Sequence, residues 1–270
     1  MPAVELSRLH TQIQLAARNY SSAEQFVKDL RGIYELYSDR TFNPLAAGKR
    51  PLSADAYNVT PLINHQFEFE FGKLCNDNPL SSLDVIDRLW EETKLEPRQL
   101  AAALLGKIPI DHTEKIIYRL KDWSLPTEDR DLIVFLHDKG TIRLRKEAVD
   151  KWLGVIRDWL ESKDPYDQVF GLQSLIPLIG DPTFNDLPKI FELFSLVIAY
   201  PGTRLLSPVL KTIEALAERS PVETVYYLKT IIAKPHSAEL PRLLRRILPV
   251  FPPEQANSLK AALREQPAEH

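Results

Sequence analysis

Residues 139–181 constrain the fold more tightly than any other stretch, because they read as one helix–turn–helix unit with both ends marked. Over 143–160, Leu144, Ala148, Trp152, Val155, Ile156 and Trp159 recur at helical spacing, which predicts a single long helix with one apolar stripe. Glu161-Ser162-Lys163 interrupts the pattern and Asp164-Pro165 restarts it. Asp can accept free backbone N–H groups at a helix start, and Pro needs no N–H at the first helical position. Val169, Phe170, Leu172, Leu175, Ile176 and Ile179 line the second helix, which Gly180-Asp181-Pro182 ends. Two antiparallel helices cannot bury both apolar faces alone, so neighbouring pairs must stack on them. That is the logic of an α-solenoid repeat.

A chain of 270 residues can bury a large core, as one extended domain or as two compact ones. Its 44% hydrophobic and 26% charged residues are those of a globular protein, not of a disordered one. Nine glycines against 21 prolines disfavour Gly-rich phosphate loops and suit short stops between many helices. The single Cys75 excludes an intramolecular disulfide and a cysteine-based zinc cluster. The start carries neither a basic nor an apolar leader region, and no apolar run approaches the roughly 20 residues of a membrane span, so a cytoplasmic protein without membrane contact is expected. A formal charge of -3 speaks against a protein that is basic all over and leaves room for a local basic face.

In chain order, Leu6, Leu9, Ile13 and Ala16 mark a first helix, and Ser21-Ser22-Ala23-Glu24 predicts a capping box for a second that reaches Tyr37. Periodicity lapses over 38–56, where Pro44, Gly48, Lys49, Arg50 and Pro51 make the longest irregular connection, a kind of segment that is often functional. Residues 1–56 therefore read as a helical hairpin plus a long loop, and 57–270 as one continuous repeat array. Thr60-Pro61 opens a helix carrying Ile63, Phe67 and Phe71. Further helices are predicted at 82–93, 97–107, 113–123 and 126–138, the third of these opened by a capping box at Asp111-His112-Thr113-Glu114. Beyond the central pair, helices are predicted at 183–200, 204–219, 221–233, 238–251 and 253–264. No strict apolar alternation competes, so the class is all-α, with no sheet and at least five antiparallel helical pairs.

Few residue groups invite a chemical reading. The histidines at 10, 65, 112, 137, 236 and 270 include no pair at the i, i+4 spacing of a helical metal site, so no metal and no cofactor are expected. His65 and His137 read as surface or groove residues. Glu128, Asp129 and Asp131 cluster at a helix start, where carboxylates meet the helix dipole favourably. Trp90, Trp123, Trp152 and Trp159 sit in apolar stripes and read as core anchors. Over 201–250, eight cations (Arg204, Lys211, Arg219, Lys229, Lys234, Arg242, Arg245, Arg246) face four anions (Glu214, Glu218, Glu223, Glu239), the one local basic excess. It is either a solvated helix face or a phosphate-contacting surface.

Several segments, in order, resemble the DNA alkylation repair proteins of the AlkD-like type, which are built from HEAT-like, armadillo-type helical pairs. They are Tyr57-Asn58-Val59-Thr60-Pro61, Leu89-Trp90, the run Glu96-Pro97-Arg98-Gln99-Leu100 with the alanines that follow, Asp158-Trp159-Leu160-Glu161-Ser162 with Gln168, and Ala217-Glu218-Arg219-Ser220-Pro221. The resemblance implies an α–α superhelix whose basic groove holds duplex DNA, and excision of cationic alkylated purines by a carboxylate flanked by indoles and an arginine. It puts Asp131 at the carboxylate. The family's indole one turn earlier falls on Thr127, its second groove indole on Lys211, and its phosphate-binding arginine on Val169. Sliding the register so that Trp123 is the first indole puts Thr127 at the carboxylate instead. Two functions follow as expectations. One is a DNA-binding member of the family, with Lys211, Arg242, Arg245 and Arg246 as phosphate contacts, Asp131 as catalytic carboxylate and excision weak or absent. The other is a non-catalytic scaffold whose repeats bind a protein partner.

Overall fold

The computed structural model describes residues 5–39, 55–125 and 128–265. Most of the irregular connection expected over 38–56, Lys49 and Arg50 included, lies outside the described residues, as does Thr127. The chain divides between Val149 and Asp150 into two compact units. The described residues contain no strand; an isolated parallel bridge between Asp55 and Lys94 is the one sheet-like pairing among them.

The first unit holds α1 (Leu6–Ala17), α2 (Ala23–Tyr37), α3 (Pro61–Asp77), α4 (Pro79–Trp90), α5 (Leu95–Leu105), α6 (Thr113–Trp123), α7 (Arg130–Lys139) and α8 (Ile142–Glu147). Helices α1 and α2 pack as a hairpin, as do α3 and α4, and α6 and α7. Next-but-one neighbours pack as well: α1 on α3, α3 on α5, α5 on α7, and α2 on α4. This is how stacked hairpins bury the face that one hairpin cannot bury by itself. Phe26, Phe67 and Phe71 form the aromatic centre, with Phe26 edge-on to Phe71 at 4.8 Å and all three fully buried.

The second unit holds α9 (Val149–Glu161), α10 (Pro165–Gly180), α11 (Leu187–Ile198), α12 (Leu206–Arg219), α13 (Pro221–Ile232), α14 (Glu239–Ile247) and α15 (Pro253–Arg264). The same pattern recurs. Helices α10, α12 and α14 pack in succession as one layer, and α11, α13 and α15 as another. Hairpins α10–α11 and α12–α13 tie the layers together. The all-α class and the five helical pairs expected from the periodicities are thus present.

Three local expectations are corrected. The stripe over 143–160 is two helices, not one, because Ala148 leaves helical geometry at φ -142, ψ 42. The cause is tertiary: Arg143 donates to the Lys107 carbonyl and to Asn76 Oδ1, and Arg145 to the Asp138 carbonyl, fixing α8 in the first unit while α9 begins the second. The capping box at 21–24 does not form, since Ser22 caps α2 without a side-chain bond and backbone turns over 16–22 join α1 to α2. Nor does the one at 111–114. A 3-10 turn, Ile110–His112, leads straight into α6, and the Thr113 hydroxyl donates to the Ile110 carbonyl. Prolines also open helices more often than they stop them: Pro61, Pro79, Pro165, Pro188, Pro221 and Pro253 all lie in the first two positions of a helix.

Candidate functional site

Asp131 lies exposed in the first turn of α7. Its own N–H and that of Leu132 donate to Asp129 Oδ1 at 2.8 and 3.1 Å, so Asp129 is the helix cap. Glu128, the third acid of the cluster, pairs with Arg98 Nη2 at 2.6 Å. Capping and an ion pair thus account for two of the three carboxylates, and the Asp131 side chain is the one turned to solvent.

Behind that turn sits a stack the sequence did not announce. The Arg98 guanidinium lies 4.5 Å over the Trp90 ring, and Trp90 stacks on Trp123 with centroids 4.5 Å apart and planes 7° from parallel. Both indoles are buried. Trp123 is therefore a packing residue, and the alternative register in which it serves as a groove indole has no free ring to offer. His137 is also buried, correcting its reading as a surface or groove residue. Its Nε2 lies 3.0 Å from the Ser124 hydroxyl, which itself donates to the Leu120 carbonyl at 2.6 Å; the ring must then be the donor to Ser124. Burial pulls the His137 pKa down to about 4, so the imidazole is neutral.

Two of the segments that carried the resemblance, 57–61 and 96–100, are bonded to each other. The Glu96 carboxylate accepts the N–H groups of Tyr57 at 2.9 Å and Asn58 at 2.6 Å, and Asn58 sits in the left-handed region at φ 56. This fastens the entry to α3 onto the start of α5. It also explains why a glutamate, ordinarily exposed, is buried there.

The four candidate phosphate contacts fall on adjacent helices of one layer in the second unit. Arg242, Arg245 and Arg246 occupy the exposed face of α14, while Leu240, Leu243, Leu244 and Ile247 bury the other face. Arg242 pairs with Glu239 at 2.9 Å; Arg245 and Arg246 form no ion pair among the described residues. Lys211 is half-buried on α12, which packs on α14, and it shares its helix face with Ser207, Glu214 and Glu218. Val169 is half-buried in α10 and supplies no cation. Elsewhere in the basic segment, Arg219 donates to the Phe184 carbonyl and Lys229 to Ser258 Oγ.

Among the described residues no group of three or more His, Cys, Asp or Glu is placed to hold a metal ion, and no helix is long and apolar enough to cross a membrane. The model of a protein family described as DNA alkylation repair enzyme matches residues 71–246. No curated protein and no solved structure matches the chain.

Proposed function

The chain belongs to the DNA alkylation repair enzyme family, and from that premise we propose that it binds duplex DNA through the α12–α14 layer, with base excision slow or absent. The reading rests on one observation above all. Arg245 and Arg246 project from one exposed face of α14 and pair with no anion among the described residues, next to a helix that carries Lys211. Cations held this way are free to displace counterions from a phosphate backbone. Asp131 would stabilise the positive charge that builds on the sugar as an alkylated base leaves. It has no indole to hold a nucleotide against it, since Trp123 is buried, and the arginine position is Val169. Binding without efficient excision follows.

The test is a duplex titration at two salt concentrations with wild type and Arg245→Glu/Arg246→Glu. Wild type should bind at low salt and weaken as salt rises, and the double variant should lower the slope of log K against log salt by about 2, roughly one per lost phosphate contact. An unchanged slope would remove these arginines from the interface.

The second reading, a scaffold for a protein partner, is favoured by the other layer. There Tyr200, Val222 and Tyr226 stand exposed on or beside α11 and α13. Aromatic surface of this kind suits a protein interface better than a phosphate backbone.

A further inference from the structure

We propose that Tyr166 and Arg204 form a stacking site for an unpaired nucleobase at the α10 end of the same layer, an inference that rests on the DNA-binding reading above. The two residues are far apart in sequence, and packing joins them. Tyr166 stands in the first turn of α10, and Arg204 in the 3-10 turn Thr203–Leu205 that leads into α12. That turn packs on both α10 and α12 and is anchored by the buried Leu205. The Arg204 guanidinium lies 4.6 Å over the Tyr166 ring.

Three properties of this pair point to a ligand. Arg204 forms no ion pair among the described residues and is exposed, so stacking on the ring fixes its plane while leaving its N–H edge open to a phosphate. Tyr166 remains 36% exposed although Arg204 covers one side of the ring, which leaves aromatic surface on which a second flat group can stack. A cation beside an open ring is the pairing by which single-stranded nucleic acid is held without sequence preference, the ring taking a base and the cation its phosphate. The Tyr166 backbone N–H donates to Asp164 Oδ1, so the ring is not needed to cap the helix. Asp164 and Asp167 flank it, and together they would repel a bare anion. A stacked base with one phosphate on Arg204 fits better than a free phosphate.

The site adds a preference that the α14 arginines cannot supply. They read a backbone that is alike in every duplex, whereas a ring is useful only where a base has left the helix. The protein should therefore favour duplexes that contain an extrahelical base.

The experiment compares a fully paired duplex with the same duplex carrying one unpaired 2-aminopurine, using wild type, Tyr166→Ala, Tyr166→Phe, Arg204→Ala and Arg245→Glu/Arg246→Glu. Wild type should bind the bulged duplex about three- to tenfold more tightly and quench the 2-aminopurine. Tyr166→Ala should abolish both the preference and the quenching while leaving the paired duplex within about twofold, and Tyr166→Phe should restore them. Arg204→Ala should weaken both duplexes and lower the salt slope by about 1. Equal affinity of wild type for the two duplexes, or a preference that survives Tyr166→Ala, overturns the proposal. If the α14 double variant also leaves binding unchanged, the DNA reading itself fails. If that variant weakens binding while the tyrosine variants change nothing, only the stacking site is lost.

Discussion

Trp152 is 1% exposed on α9 and meets Trp159 edge-on at 5.6 Å, yet its indole N–H has no hydrogen-bond partner. Its contribution therefore comes from packing, with an unsatisfied donor working against it. Trp152→Ala should cost about 3 to 5 kcal/mol in denaturant unfolding, whereas Trp152→Phe, which keeps a ring and removes the orphan donor, should cost only about 1 kcal/mol. Equal losses for the two variants would mean that the N–H is bonded after all. A second buried residue controls pH behaviour. The folded His137 has a pKa of about 4 against the ordinary 6.5, so between those values the unfolded chain takes up a proton that the folded one refuses. Stability from this residue is complete above about pH 6.5, falls as pH drops towards 4, and is level below that; the full span amounts to about 3 kcal/mol. Urea midpoints of wild type and His137→Gln at pH 7.5, 5.5 and 4.5 should converge as pH falls, because the variant lacks this titration. Parallel curves would place the acid sensitivity elsewhere.

At the scale of the element, the start of α7 is set by neighbours, not by its own sequence. Arg98 from α5 holds Glu128, while Trp90 from α4 backs the guanidinium and stacks on Trp123 at the end of α6. Arg98→Ala leaves a mostly buried carboxylate without its partner and should cost about 1 to 3 kcal/mol, with a changed near-UV circular dichroism from the indole pair. Loss of stability without a spectral change would detach the ion pair from the stack. Periodicity carried most of the helical architecture: α6 and α15 run over 113–123 and 253–264, as the spacing of their apolar residues predicts. Where it missed a helix boundary, contacts beyond the local run decided the outcome. The break at Ala148 depends on where Arg143 and Arg145 find carbonyls, and nothing in residues 143–160 encodes that. The helix predicted at 82–93 instead begins at Pro79 and ends at Trp90, where it packs on α2 and α5. The candidate site was legible in its charges, since Arg242, Arg245 and Arg246 share a face at i, i+3 and i+4. The Tyr166–Arg204 stack was not legible, because no local spacing relates the two residues.

On the scale of the whole molecule, a formal charge of -3 means that any attraction to DNA must come from a small surface and not from the protein's overall field. Such binding is weak and strongly dependent on salt, and it holds a duplex without pressing one nucleotide against a particular carboxylate. Asp131 has the exposure that a catalytic carboxylate needs, but Trp90 and Trp123, the indoles of α4 and α6, are buried and stacked on each other. Release of N7-methylguanine from a defined duplex should therefore be close to background, and Asp131→Asn should leave it there. The assay is informative in either direction, because a carboxylate that stabilises a sugar cation contributes on the order of a hundredfold or more in rate. Robust release by wild type that vanishes in Asp131→Asn would show that the carboxylate works without flanking indoles. In that case the nucleotide must be held by groups other than indoles.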